Sequence, residues 1–166
     1  MKTLPNDYQN FIALSRYARW LPEENRRETW EETVARYFDF MEEHLKENTN
    51  QELTPKTRKL LERAVLNLEV MPSMRALMTA GKSLKDNNIA GYNCAYLSVD
   101  HPKAFDECLY ILMHGTGVGF SVERQHIGKL PEIPEQVVEV EDTIVVQDSK
   151  EGWQSAFRKL ISYLFD

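Results

Sequence analysis

Cys94 is the residue of this sequence best placed to do chemistry. It follows a turn-forming run, Gly91-Tyr92-Asn93, and opens an apolar, strand-like run, Ala95-Tyr96-Leu97-Ser98-Val99. A thiol in a water-poor pocket can donate a hydrogen atom and then close onto a nearby thiolate. Further along stands Gly115-Thr116-Gly117-Val118-Gly119. Missing side chains there would let a ligand touch the backbone. A plainer reading is also open, in which Cys94 is a small buried hydrophobe and the glycines only turn the chain. The glycines are not a dinucleotide fingerprint, because they follow a helix and precede a strand, the reverse of the order that motif needs. No Gly-Lys-Ser/Thr closes them, so they are not a Walker loop.

The elements that must hold these residues are legible around them. Asp100 to Pro102 stops the first strand and starts a helix, since Asp caps and Pro is tolerated in a first turn. The helix Lys103–His114 ends at Gly115, and Phe120-Ser121-Val122 is a second apolar run. Strand, helix, glycine-rich turn and strand make a βαβ-like unit. It carries a thiol at the mouth of one strand and bare backbone beside the next. Cys108 falls within the helix, where packing explains it.

The 166 residues carry a net charge of −6 and two cysteines. That is one domain's worth of chain. The charge argues against a nucleic-acid surface, and two cysteines give neither a disulfide framework nor a metal-ligand pattern. No run is apolar enough for a membrane span. The start, Met-Lys-Thr-Leu-Pro-Asn-Asp, lacks a signal-peptide core, which implies a cytoplasmic protein.

Before the central unit the pattern is helical. Residues 8–21 have helical spacing up to Pro22. Arg16, Arg19, Arg26 and Arg27 read as a solvated face paired with Glu23, Glu24 and Glu28, with an anion site as the alternative. Residues 29–46 carry the stripe Trp30, Val34, Tyr37, Phe38, Met41 and Leu45. Thr54-Pro55 opens a third helix, whose buried face is Leu60, Leu61, Ala64, Val65 and Leu68. Residues 1–70 therefore read as a helical subdomain. Met71-Pro72-Ser73 breaks the helix, 74–79 is a short helical piece, and 82–88 reads as a polar linker. Past the central unit, 137–141 suggests an edge segment and Thr143–Val146 a strand. Asp148 and Glu151 are spaced as a capping box for a last helix. Its buried face is Trp153, Ala156, Phe157, Leu160, Ile161 and Leu164. Its apolar stripe runs to the last residue, which leads to the expectation that the chain is part of something larger.

Four ordered motifs carry a resemblance. They are Met71-Pro72-Ser73-Met74-Arg75 with Met78-Thr79-Ala80-Gly81, then Asn93-Cys94, then Gly115 to Ser121, then Asp148-Ser149-Lys150-Glu151-Gly152-Trp153. Together they closely resemble the ribonucleotide reductase large subunit, best the adenosylcobalamin-dependent (class II) monomeric type. The resemblance runs from about Met71 to Asp166, more loosely through the helical start, and covers only the N-terminal part of the family's catalytic chain. It implies an α/β fold: the helical subdomain, then in 71–166 the first strands and helices of a ten-stranded α/β barrel, incomplete in this chain.

The resemblance also implies roles. Cys94 matches one of two thiols that become a disulfide as the ribose 2′-hydroxyl leaves, and its partner cysteine is absent from this chain. Ser73 matches a hydroxyl residue that contacts substrate, with a helix N-cap as its alternative. Asn93 precedes the redox cysteine. Gly117 matches a glycine lying against the nucleotide, with a turn glycine as its alternative. Asp100, Arg124 and His126 match the region that reads an allosteric deoxynucleotide. Asp100 can instead be a helix cap, and Arg124 an ion-pair partner of Glu123 or of a downstream acid.

The expected whole is a reductase of ribonucleoside triphosphates that acts by radical chemistry. It would need adenosylcobalamin, bound mainly elsewhere, a thioredoxin-like reductant and a C-terminal partner chain, and this chain would be inactive alone. The alternative is a non-catalytic nucleotide-binding or regulatory protein derived from the same fold. No protein metal site is implied.

Overall fold

The computed structural model describes residues 4–136, 139 and 141–165. It is mixed α/β and mostly helical. Contacts divide the chain into two compact units, the first ending at Gly91 and the second beginning at Tyr92. Residues 71–91, grouped by sequence with the second region, thus pack with the first.

The first unit starts with α1, Asp7–Ile12, where the Asn6 side chain accepts from Gln9 N. Helix was expected on to residue 21. Instead Ala13–Tyr17 is a π-helical turn and Ala18 is extended. Pro22 disfavours helix at the residue before it. Accordingly β1 (Trp20–Leu21) pairs antiparallel with β2 (Arg26–Arg27). Asn25, left-handed at φ 48°, closes the turn between them.

Helix α2 spans Trp30–Thr49 and begins with a capping box. Thr29 Oγ1 accepts from Glu32 N at 3.2 Å, and Thr29 N donates to Glu32 Oε2 at 2.7 Å. Such a cap is worth about 1 kcal/mol. Trp30, Val34 and Phe38 bury one face of α2 against Leu4, Ala13, Val65 and Leu77. Helix α3 is Pro55–Leu66, with Thr54 as its N-cap as the sequence suggests. Of its expected apolar face only Val65 is buried, while Leu60 and Leu61 are exposed. Helix α4 is Met74–Thr79. The segment read as a polar linker contains a helix, α5 (Lys82–Asp86). Its Leu84 is drawn into a second cluster with Phe40, Ala80 and Ala90.

One buried polar node ties these helices together. The Arg36 guanidinium donates to Leu77 O at 3.0 Å, Ala80 O at 2.9 Å and the Glu28 carboxylate at 2.8 Å. Glu28, read in the sequence as part of a solvated face, is only 5% exposed. Burial pushes its carboxyl up, but hydrogen bonds from Arg36 and the Arg19 backbone outweigh that and hold it below the usual range. Arg26 does pair on the surface, with Glu24 and Glu32.

The second unit contains β3 (Cys94–Ser98), α6 (Lys103–Met113), β4 (Gly117–Ser121), α7 (Arg124–Ile127) and α8 (Lys150–Phe165). Strands β3 and β4 are parallel, with α6 crossing between them in sequence and packed on both. The described residues form two two-stranded sheets and no barrel. Residues 143–146 are irregular rather than a strand, and Val145 is 82% exposed. A β-branched run needs a neighbour to pair with, and none is supplied there among the described residues. Most of the expected edge segment, Val137, Val138 and Val140, lies outside the described residues.

Ser149, not Asp148, starts α8, since its Oγ accepts from Gly152 N at 2.9 Å. Helix α8 packs on α6. Asp106, 1% exposed, accepts from Arg158 Nη2 at 2.6 Å and Gln154 Nε2 at 2.9 Å. Trp153, Leu160 and Leu164 of its expected buried face are exposed. No described helix is long and apolar enough to cross a membrane.

Candidate functional site

Strand β3 begins at Cys94 because the chain before it is tied down twice. Thr116, 1% exposed, donates its hydroxyl to Tyr92 O at 2.9 Å. Gly117 N donates to Asn93 O at 3.0 Å. These bonds fix the register in which Cys94 stands beside Gly117, Tyr96 beside Gly119 and Ser98 beside Ser121. Residues two apart in a strand share a face. Cys94, Tyr96, Gly117 and Gly119 therefore lie on one face of the pair, and all four are exposed. Ala95, Leu97 and Val118 alternate with them and are half-buried.

Cys94 is not the sealed hydrophobe of the plainer reading. Its thiol is free and exposed. Cys108 on α6 is half-buried, and burial pushes its thiol up.

Gly115 and Gly117 divide the work the motif suggested. Gly115 makes the turn, at φ 81°, and closes α6 through its N–H to Leu112 O at 2.8 Å. Gly117 lies within β4 and has no positive φ. A methyl group built on it would touch only Asn93 O, at 3.7 Å. Neither turn geometry nor internal crowding requires a glycine there.

At the other end of the strands lie the residues matched to effector reading. Asp100 does not cap α6, whose first turn has no side-chain cap. It pairs instead with Lys129 Nζ at 3.5 Å and lies 3.8 Å from His101 Nε2. Arg124 opens α7, is exposed, and makes no ion pair among the described residues. Glu123 is engaged by Gln125 and lies 3.9 Å from His126 Nε2. His126 Nδ1 is buried and has no hydrogen-bond partner among the described residues. Asp100 follows β3, while Arg124, His126 and Asp100's partner Lys129 follow β4. The parallel pairing thus sets Cys94 and Gly117 at one end of the strands and these charged residues beyond the other. Lys129 was not singled out in the sequence; only the observed ion pair reveals it.

Ser73 belongs to the first unit. It is the N-cap of α4, with Oγ accepting from Ala76 N at 3.0 Å, and it is exposed. That bond meets the capping alternative and leaves the hydroxyl hydrogen unassigned. No group of His, Cys, Asp and Glu among the described residues is arranged to hold a metal ion.

The family model described as "Ribonucleotide reductase alpha domain" matches residues 2–82. The adenosylcobalamin-dependent ribonucleoside-triphosphate reductase of Lactobacillus gasseri is 30% identical over 170 residues, covering 86% of this chain and 22% of that protein. The chain is homologous to the N-terminal portion of the class II ribonucleotide reductases. The Levilactobacillus brevis reductase is 31% identical over 160 residues, covering 78% of this chain and 21% of its own length. A crystal structure of a B12-dependent (class II) ribonucleotide reductase shares the fold. It superposes with a TM-score of 0.74 at 23% identity, over 93% of this chain and 29% of that one. The chain thus spans about a fifth of the length of the curated reductases it matches. The family match falls largely on the helical start, where the sequence motifs carried the resemblance most loosely.

Proposed function

We propose that this chain supplies the N-terminal part of a class II ribonucleotide reductase, including one of its two reducing thiols. The observation that carries the reading is the exposed Cys94 standing beside a side-chain-free Gly117 on an uncovered sheet face. In the proposed reaction two cysteine thiols give up two electrons and two protons. The C2′–OH bond of a ribonucleoside triphosphate breaks, water leaves, a C–H bond forms, and the sulfurs join as a disulfide. Cys94 is one of those sulfurs. The second, and the residue that bears the radical, come from the remainder of the reductase. A thioredoxin-like dithiol then restores the thiols.

The sheet itself supports this incomplete-site reading. Parallel sheets are normally covered on both faces, and a two-stranded sheet is not stable alone. Here β3 and β4 have α6 packed on them and a bare face that carries the thiol. Further strands of a barrel would extend the pair, and the reacting sugar would sit over the glycines. Asp100, Arg124 and His126 are assigned to a deoxynucleotide effector, with Arg124 suited to phosphate by its planar fork. Asn93 and Ser73 are assigned to substrate contact.

Adenosylcobalamin is assigned mainly to the remainder of the enzyme. That assignment is supported by the size of the cavities at Trp30 and at Gly152, about 300 Å³ and 320 Å³, which are too small for a corrinoid.

Reconstitution tests the proposal. The chain is combined with the remainder of the reductase, adenosylcobalamin, a ribonucleoside triphosphate and a dithiol, and deoxynucleotide is measured. Product should require both parts. A regulatory protein would bind nucleotide and give no product in any combination.

A further inference from the structure

Helix α3 turns one face, with Val65 buried, into the core of the first unit. Its other face is open and is ordered into two rows. At 3.6 residues per turn Lys56, Lys59 and Arg63 fall in one row, and Leu60 and Ala64 in the next. Leu60 is 67% exposed, and Leu61 stands exposed at the edge of the apolar row. The end of the helix lengthens that row. Leu68 takes the left-handed position at which glycine usually ends a helix, with φ 61°. Glu69 N and Val70 N then both donate to Ala64 O, at 2.9 Å and 3.4 Å. The exposed Val70 is thereby brought back beside Ala64.

The basic row is unmatched. Lys56, Lys59 and Arg63 are exposed and make no ion pair among the described residues. Acids of α2 and α3 are engaged with other bases: Asp39, Glu42 and Glu62 with Arg58, and Glu43 and Glu47 with Lys85. Lys56 also stands in the first turn of α3, where the helix dipole disfavours a cation and no acid offsets it. Helix stability therefore does not account for the basic row. An apolar strip edged by unmatched charge of one sign has the form of a docking face, because the charge selects the partner and the partner covers the strip.

We propose that this face of α3 docks an acidic, apolar protein segment belonging to the remainder of the reductase. The proposal rests on reading the chain as the N-terminal part of that enzyme. The match to the Lactobacillus gasseri reductase spans 22% of that protein, so most of the polypeptide able to cover α3 lies beyond the matched stretch. Carboxylates of the segment pair with Lys56, Lys59 and Arg63. Its apolar side chains cover Leu60, Ala64 and Val70, and the stems of the basic residues close the rim of the strip. The chemistry favours protein over an anionic membrane, because α3 offers a bilayer only two exposed leucines and no aromatic residue.

Lysine acetylation, read by peptide mass spectrometry, tests the face in the chain alone and with the remainder of the reductase added. Lys56 and Lys59 should react severalfold more slowly in the complex. Carbodiimide should join one of them directly to an Asp or Glu of the remainder. Leu60→Ser, and Lys56→Glu combined with Lys59→Glu, all at exposed positions, should each weaken binding of the remainder about tenfold. The double charge reversal should also flatten the dependence of binding on salt. Deoxynucleotide formation in the same mixture separates two kinds of failure. If product forms while both lysines keep their free reactivity, or while the variants bind unchanged, the docking face is overturned and the reading of the chain stands. If the remainder neither binds nor supports product, both fall. Protection that appears as the chain alone is concentrated gives the face to a second copy. Protection by phosphatidylserine vesicles alone gives it to a membrane, and either result overturns the proposal.

Discussion

Cys94 and Gly117 stand side by side at the start of two parallel strands, one bringing a free thiol and the other no side chain. The pairing is set by Gly117 N to Asn93 O and by the buried Thr116 hydroxyl on Tyr92 O. The chain therefore builds a floor with a sulfur at its edge. Nothing in the local packing demands glycine at 117. A ligand lying across the floor would.

That contrast makes Gly117 a position where stability and function separate. Gly117→Ala should change the unfolding free energy by less than about 0.5 kcal/mol, as for substitutions that meet open space. Gly117→Val should raise KM for the nucleotide in the reconstituted reductase. Gly152→Ala is the control in the opposite sense. Its methyl would collide with Gln147 O, so the helix or the preceding loop must shift. A loss of about 1–3 kcal/mol is expected despite the better helix propensity of alanine. Urea denaturation of the two alanine variants measures the stabilities, and steady-state kinetics of the reconstituted Gly117→Val reductase measures KM.

The two thiols should react at different rates. Cys94 is exposed, whereas Cys108 is half-buried with its thiol pushed up by burial. Only the thiolate is nucleophilic. Iodoacetamide at neutral pH should label Cys94 first, as read by peptide mass spectrometry over time. Equal labelling would mean that α6 does not shield Cys108.

Asp106 is the pin between α6 and α8. It is 1% exposed and accepts from Arg158 and Gln154 on the opposite helix. Asp106→Ala should cost about 1–3 kcal/mol, because bonds to a buried charged acceptor are lost together. Arg158→Ala should cost at least as much, since it strands the buried Asp106 side chain with Gln154 alone, whereas Asp106→Ala leaves an arginine that is half in water. Thermal unfolding of both variants gives the comparison.

Acid should loosen the first unit before it reaches the ordinary limit of a helical domain. Hydrogen bonds from Arg26, then from the Thr29 backbone, hold Glu32 down at about 2, and Glu28 is also held below its usual range. A carboxyl depressed on folding adds stability above its unfolded pKa of roughly 4.3. That contribution is lost as pH falls toward the folded value. Stability should therefore decline from about pH 4.5 toward pH 2. Glu28→Gln should flatten the decline, as followed by circular dichroism.

Local chemistry was readable in the sequence where one residue type decides the outcome. Thr54 before Pro55 caps α3, and Gly115 ends α6. The mixed α/β character and the kinship with class II reductases were legible from ordered motifs. Long-range packing was not. Leu60, Leu61, Trp153 and Leu164 have helical spacing, yet they are exposed. Spacing states that a face is apolar, not what covers it. Glu28 looked like a surface partner in a run of charges, and only the fold brings Arg36 to it. Leu84 sits in a polar run, and its burial depends on Phe40 and Ala90 from other helices. For the site, the residue types at 94 and 117 were visible, but their adjacency follows from the strand register alone.

The central claim is that Cys94 is oxidised as a nucleotide is reduced. The most direct measurement is a single turnover of the reconstituted reductase without external dithiol, followed by peptide mapping of Cys94. One equivalent of deoxynucleotide should form, with Cys94 recovered in a disulfide to a cysteine of the remainder and Cys108 still reduced. Product formation with Cys94 still a free thiol, or sustained turnover by Cys94→Ser with a thioredoxin-like reductant, would contradict the claim.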